Sequence, residues 1–144
     1  LIAAILITLV LFIVCGAVHY GIMSALHKYL LASNLTQGLR LQIGLIGVAC
    51  AHIFETGLYA VGFKIGQGAG LGSFKGTDGP LSFMDVFYFS LVNYTSLGLG
   101  DIYPTGHLRF IAGAESLNGF LLISCSAAFL FMVMQDKDPQ NAER

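Results

Sequence analysis

Three runs of apolar residues dominate the chain: Leu1 to about Leu31, Leu39 to about Ile65, and Leu108 to about Met134. Each exceeds the roughly 20 residues that carry a helix across a hydrocarbon core, with room for tilt. Between the second and third, residues 66–106 are polar and rich in glycine, broken by one apolar patch from Phe83 to Tyr94. The pattern predicts an all-α membrane protein, with three transmembrane helices and a shorter re-entrant helix. Backbone that turns back at membrane depth persists only where protein buries it or where it lines water. Closing such a structure takes several copies of the chain, so an oligomer is expected.

The short helix carries its own start signal in Pro80-Leu81-Ser82-Phe83-Met84-Asp85. Ser82 is placed to cap it, and Asp85 supplies a carboxylate to the first turn. It should end near Tyr94, immediately before the strip Thr95-Ser96-Leu97-Gly98-Leu99-Gly100-Asp101. Alternate glycines lift the steric bar on unusual backbone angles, so successive carbonyls can turn the same way. A ring of such strips replaces a cation's water shell with oxygen dipoles. The negative end of the short helix's dipole would favour a cation beside it.

The strip resembles the selectivity filter of tetrameric potassium channels, whose usual form is Thr-Thr-Val-Gly-Tyr-Gly-Asp. The likeness runs from about Ser82 to Phe131, in the order pore helix, filter, inner helix. It implies a passive cation channel, a homotetramer in the lipid bilayer, with K+ as the permeant ion and no cofactor required. It also implies the plasma (cell inner) membrane, with the filter mouth outward. On that resemblance, Thr95 to Asp101 form the ion-binding filter. The carbonyls of Ser96, Leu97, Gly98 and Leu99 coordinate the ion, and the Ser96 hydroxyl is the innermost ligand. Two positions depart from the family. Leu99 replaces an aromatic residue whose hydroxyl, when tyrosine, tethers the filter, and Val92 stands where some members carry a glutamate. Both departures predict a looser filter with a smaller margin for potassium over sodium.

The same resemblance divides the chain into an additional N-terminal transmembrane helix and loop (1–38), a pore domain (39–134) and a short polar tail (135–144). Gly119 aligns, by one gap, with a glycine at which related inner helices bend, and glycine also serves close helix contacts. Ile123, Ala127 and Phe131 recur every four residues on one face, which by resemblance lines the cavity and inner gate. Glu115, fourteen positions beyond Asp101, is an ionisable residue inside a membrane helix and therefore faces protein or water. Its depth fits a brace behind the filter, accepting from the Asn93 amide or the Tyr94 hydroxyl.

Composition agrees with the pattern: 56% of residues are hydrophobic and 10% charged, and the mean hydropathy is +0.76, a membrane profile. The formal net charge of -1 argues against a nucleic-acid partner. With the filter mouth outward, Lys28, Arg40, Lys137 and Arg144 lie inside and Lys64, Lys75 and Arg109 outside, a weak positive-inside bias. No Met opens the chain, and the first run reads as a mature spanning helix rather than a cleaved signal. The strip Gly66 to Gly72 lacks a P-loop's lysine ending and reads as a flexible turret loop. No helix repeats arginine or lysine every third residue, so a charged voltage-sensing helix is not expected. The tail is too short for a ligand-binding domain. Gating therefore falls to pH, metal, lipid, tension or a separate regulatory subunit, or the pore stays open.

Outside the pore, the first two helices carry an unusual polar set. Counted from the loop near Leu35, His19 and His52 lie sixteen and seventeen residues away, and Cys15 and Glu55 both lie twenty. In an antiparallel pair those positions are nearly level. Cys15/His19 and His52/Glu55 each share a helix face. Cys15, His19, His52 and Glu55 are thus candidate zinc or copper ligands. A histidine–carboxylate hydrogen bond joining two helices is the favoured reading of the set, with a proton-sensitive contact between the two. His27 and His107 read as solvated. The three cysteines, all in apolar runs, read as buried small hydrophobes. A membrane metal-binding sensor or transporter is accordingly a rival to the channel reading. A weakly selective cation channel and an accessory subunit without transport are further alternatives.

Overall fold

The computed structural model describes residues 1–76 and 79–135. Its elements in order are α1 (Ile2–Ala32), α2 (Gln37–Gly68), β1 (Phe74–Lys75), α3 (Phe83–Tyr94), β2 (Tyr103–Pro104) and α4 (Leu108–Gln135). Helices α1, α2 and α4 are long and apolar enough to cross a membrane. Of the polar tail expected at 135–144, Gln135 is the last residue of α4, and residues 136–144, with Lys137 and Arg144, lie outside the described residues.

The short link 33–36 returns the chain antiparallel, so α1 lies along α2 and also touches α4. Its inward stripe is Ala4, Thr8, Cys15, His19 and Leu30, at intervals of 4, 7, 4 and 11 residues, each close to a whole number of helical turns. Close approach depends on glycine. A Cβ on Gly47 would sit 2.6 Å from Leu26, and one on Gly62 would collide with Leu11. Small residues of this kind let membrane helices gain van der Waals contact where hydrophobic drive is absent. The outward faces remain apolar and uncovered, with Ile2, Leu9, Ile13, Tyr20, Ile46 and Phe54 among the exposed residues.

Around the outer half, Phe63 of α2, Phe74 of β1 and Phe89 of α3 pack edge to face, with centroids 5.0–5.4 Å apart. Such geometry places positive ring edges on negative faces, and it fixes α3 against α2. Helix α3 starts as the sequence predicts. The Asp85 amide donates to the Ser82 hydroxyl at 3.2 Å and the Ser82 amide donates to the Asp85 carboxylate at 2.8 Å. The Ser82 bonds hold the Asp85 carboxyl below the usual carboxylate range.

Four expectations need correcting. The strip Gly66 to Gly72 is not a loose turret: α2 continues to Gly68, and the His107 amide donates to Leu71 O at 2.7 Å. Thr105 N donates to Ser73 O at 2.7 Å. β1 pairs antiparallel with β2, Phe74 opposite Pro104 and Lys75 opposite Tyr103. This small ladder also modifies the all-α expectation, because two residues are too few to leave a period in the sequence. Cys50 and Cys125 are exposed on helix faces turned away from the core, and only Cys15 is buried. His27 is half-buried rather than solvated, its ring edge-on to Phe129 at 6.3 Å.

Candidate functional site

Helix α3 delivers its C-terminus to the glycine strip. There the helical pattern unwinds: the Ser96 amide donates to Asn93 O at 2.9 Å, and the Leu97 amide to Val92 O at 3.1 Å. The Thr95 hydroxyl covers Leu91 O and Val92 O at 3.1 and 3.0 Å. From there every second residue takes a left-handed backbone: Ser96 at φ 59, Gly98 at φ 57 and Gly100 at φ 78. Two of the three are glycine, which meets no steric penalty there. Ser96 is the only non-glycine residue with positive φ among the described residues, which costs about 1–2 kcal/mol. Thr95 to Asp101 are exposed throughout, Leu97 at 64% and Leu99 at 58%.

The strip is held directly at its Asp101 end and, through α3, at its start. At its outer end the Tyr88 hydroxyl donates to Asp101 at 2.8 Å. That bond keeps the Asp101 carboxyl below its ordinary range and the Tyr88 hydroxyl above its own. A depressed folded-state pKa means the contact is fully present above the ordinary carboxylate range and is lost only as pH falls through the lowered value. The Tyr88–Asp101 contact should therefore survive acidification to about pH 5. Tyr88→Phe should return Asp101 toward ordinary titration, read from the pH dependence of its carboxyl carbon resonance.

Behind the strip, fully buried Glu115 of α4 accepts from the Asn93 amide at 2.6 Å and from the Ser90 hydroxyl. Asn93 also donates to Ala112 O at 2.8 Å, and the Ser116 hydroxyl donates to Asn93 O at 2.8 Å. Of the two donors expected for Glu115, Asn93 is present and Tyr94 is not. Tyr94 turns instead to the other buried carboxylate.

That second carboxylate, Glu55, gathers the polar residues of the first two helices. Its Oε1 lies 2.9 Å from His19 Nδ1, and its Oε2 lies 3.1 Å from His52 Nδ1. The Tyr94 hydroxyl donates to Oε2 at 2.6 Å. On the far side of the rings, Ser126 Oγ of α4 lies 2.9 Å from His52 Nε2 and 3.4 Å from His19 Nε2. The imidazole centroids are 5.3 Å apart. His19, His52 and Glu55 thus converge, each offering a ligand atom within 4.8 Å of the others. Cys15 stands beside them, its thiol 4.0 Å from the Glu55 carbonyl oxygen rather than within the convergent set.

The inner helix touches this arrangement at one further point. A Cβ on Gly119 would collide with the Tyr94 carbonyl oxygen and sit 3.0 Å from its ring. Gly119 therefore serves a close contact in this conformation. Ile123, Ala127 and Phe131 share an exposed face of α4 that no other described part of the chain covers.

Sequence reasoning missed Tyr94 as a partner of Glu55, and it missed Ser90 and Ser126 altogether. Ser126 had a signal: it lies eleven residues after Glu115, three turns along the same inward stripe. Tyr94 had none, because which carboxylate it reaches depends on how α3 is rotated.

A family model described as ion channel matches residues 52–136, from the polar cluster on α2 through the strip to the end of α4. No curated protein and no solved structure matches the chain. With more than half of the chain inside that match, and with helices built to span a membrane around it, the protein belongs to the ion channel family and is an integral membrane protein.

Proposed function

We propose that the chain assembles as a homotetramer and conducts potassium passively, with Thr95 to Asp101 of each copy as its selectivity filter. The observation that carries this reading is the alternation of left-handed backbone at Ser96, Gly98 and Gly100, at the end of a helix and exposed on one side. Alternating φ sign favours carbonyls aimed at a common axis, where oxygen dipoles stand in for water around a dehydrated cation. The C-terminal dipole of α3 adds negative potential at the inner end of that axis. The exposed face of Ile123, Ala127 and Phe131 suits a cavity wall, with Phe131 as an apolar constriction. The filter mouth faces outward, in the plasma membrane of the cell.

Support for the filter differs from the family pattern. Leu99 lacks the hydroxyl that would tether the outer filter, and Val92 lacks a carboxylate. Buried Glu115 behind α3 and the Tyr94–Glu55 bond below it supply polar bracing from other helices. The bracing sits at the base and back and, through Tyr88 and Asp101, at the far end, while Leu99 itself makes no side-chain hydrogen bond. That favours, as a second reading, a cation channel with a reduced margin for potassium over sodium. Leu99→Tyr should then raise the potassium-to-sodium permeability ratio several-fold, measured under bi-ionic conditions.

Flux into liposomes tests the proposal. Purified protein should carry potassium down its gradient, and Gly98→Val, which forces a β-branched side chain to φ 57, should carry none. Folded, reconstituted wild-type protein that passes no cation would mark the chain as an accessory subunit.

A further inference from the structure

We propose that His19, His52 and Glu55 form a binding site for a divalent first-row transition metal, zinc being the reference ion, set between α1 and the pore. The ligand types are two imidazoles and a carboxylate, a set such ions favour over alkali and alkaline-earth cations. Neighbouring ligand atoms of a tetrahedral zinc are about 3.3 Å apart for bonds near 2.0–2.1 Å. His19 Nδ1 to Glu55 Oε1 is 2.9 Å and His52 Nδ1 to Glu55 Oε2 is 3.1 Å. Each histidine Nδ1 already lies near coordination spacing from one oxygen of the carboxylate, and the three residues offer ligand atoms within 4.8 Å of one another, so binding needs only a small inward shift of the three side chains.

What separates this cluster from an ordinary interhelical hydrogen bond is its outer layer. Metal-bound histidines are oriented by a partner on the other ring nitrogen, and ligating carboxylates are themselves hydrogen-bonded. Here Ser126 Oγ faces Nε2 of both rings, and the Tyr94 hydroxyl holds Glu55 Oε2. A single imidazole would suffice to join two helices. Two rings that present the same nitrogen to one carboxylate, with a shared hydroxyl behind them, exceed that need.

Metal entry balances without an external base. Each ring that bonds through its Nδ1 lone pair carries its proton on Nε2, where Ser126 Oγ accepts. Without metal, the proton sits on Nδ1 and the carboxylate accepts it, while the Ser126 hydroxyl donates to an Nε2. Among the described residues the buried carboxylate bonds to His19, His52 and Tyr94 and to no lysine or arginine. A bound cation would neutralise it at a depth where an isolated charge is costly.

The site reaches four helices: α1 through His19, α2 through His52 and Glu55, α3 through Tyr94, and α4 through Ser126. Tyr94 precedes Thr95 directly, so the ion would hold the first helix and the base of the filter in one assembly. Only that consequence rests on the channel reading; the binding site itself does not.

The test uses the purified full chain in nanodiscs, loaded with zinc, stripped of loosely held ions by gel filtration over chelator, and analysed for metal. About one zinc per chain is expected from the three-residue ligand set. His52→Gln and Glu55→Gln should each lower retention at least tenfold. Ser126→Ala keeps all three ligands and should weaken affinity about 10–100-fold, an effect that a packing role for the serine would not produce. Cobalt bound to wild-type protein should show ligand-field absorption that zinc displaces, a readout that needs no variant to fold. Metal-free wild-type protein without a cobalt spectrum overturns the proposal. So does zinc that survives both ligand substitutions, or that vanishes with His107→Ala. Gly98→Val should retain full zinc while losing flux, so failure of the site and failure of the channel reading stay distinct.

Discussion

Replacing Glu55 with alanine is expected to be among the most damaging single changes in this protein. In metal-free protein it removes the carboxylate to which His19, His52 and the Tyr94 hydroxyl all bond, in a region where Glu55 is 0% and His19 is 3% exposed; His52 Nδ1 and the Tyr94 hydroxyl, 3.0 Å apart, keep each other as partners, so His19 bears most of the loss. A buried polar group left without its partner costs about 1–3 kcal/mol, so a loss on the order of 3 kcal/mol is expected before compensating shifts. Glu55→Gln keeps one acceptor oxygen and should cost less. Thermal unfolding of chelator-treated protein in detergent measures both. The bonds run to α1 and α3, so the alanine variant should also loosen α1 from α2 and free the end of α3 that leads into the Thr95 to Asp101 strip. Equal melting temperatures for wild type and Glu55→Ala would contradict the account of the cluster.

The second large effect is expected at Gly119. Any side chain there meets the carbonyl of Tyr94, the last helical residue before the Thr95 to Asp101 strip. Overpacking of this kind costs about 1–3 kcal/mol, and here the strain falls on backbone rather than on a flexible side chain. Gly119→Val should reduce potassium flux more than tenfold even where folded protein is recovered. Gly113 lies on the same helix, and a Cβ placed there would meet nothing within 4 Å. It is the control: Gly113→Ala should conduct normally. Retained flux in Gly119→Val would show that the α3–α4 contact does not set the filter's geometry.

The long elements were legible because their signals are redundant. Runs of apolar residues outlast a bilayer, and Ser82 and Asp85 mark the start of α3 to the residue. The level pairing of His19 and His52 was also readable, since a short link between antiparallel helices fixes depth by simple counting. Depth does not fix rotation, however. The sequence could not distinguish Glu115 from Glu55 as the acceptor for Tyr94, nor show that Cys15 lies beside the convergent set. The β1–β2 ladder was hidden for another reason: Phe74-Lys75 and Tyr103-Pro104 are too short for periodicity. Their pairing depends on the strip between α3 and α4 folding back on the end of α2. Exposure of Cys50 and Cys125 follows from the solvent here being lipid, which leaves apolar residues on both sides of a helix and removes the contrast that identifies a core.

The central claim is potassium-selective conduction through the Thr95 to Asp101 strip, and reversal potentials of the reconstituted protein address it most directly. With potassium on one side of the bilayer and sodium on the other, the potential should shift toward potassium's equilibrium value. The current should disappear in Gly98→Val. A wild-type reversal potential at zero, equal permeability to the two ions, would contradict the claim.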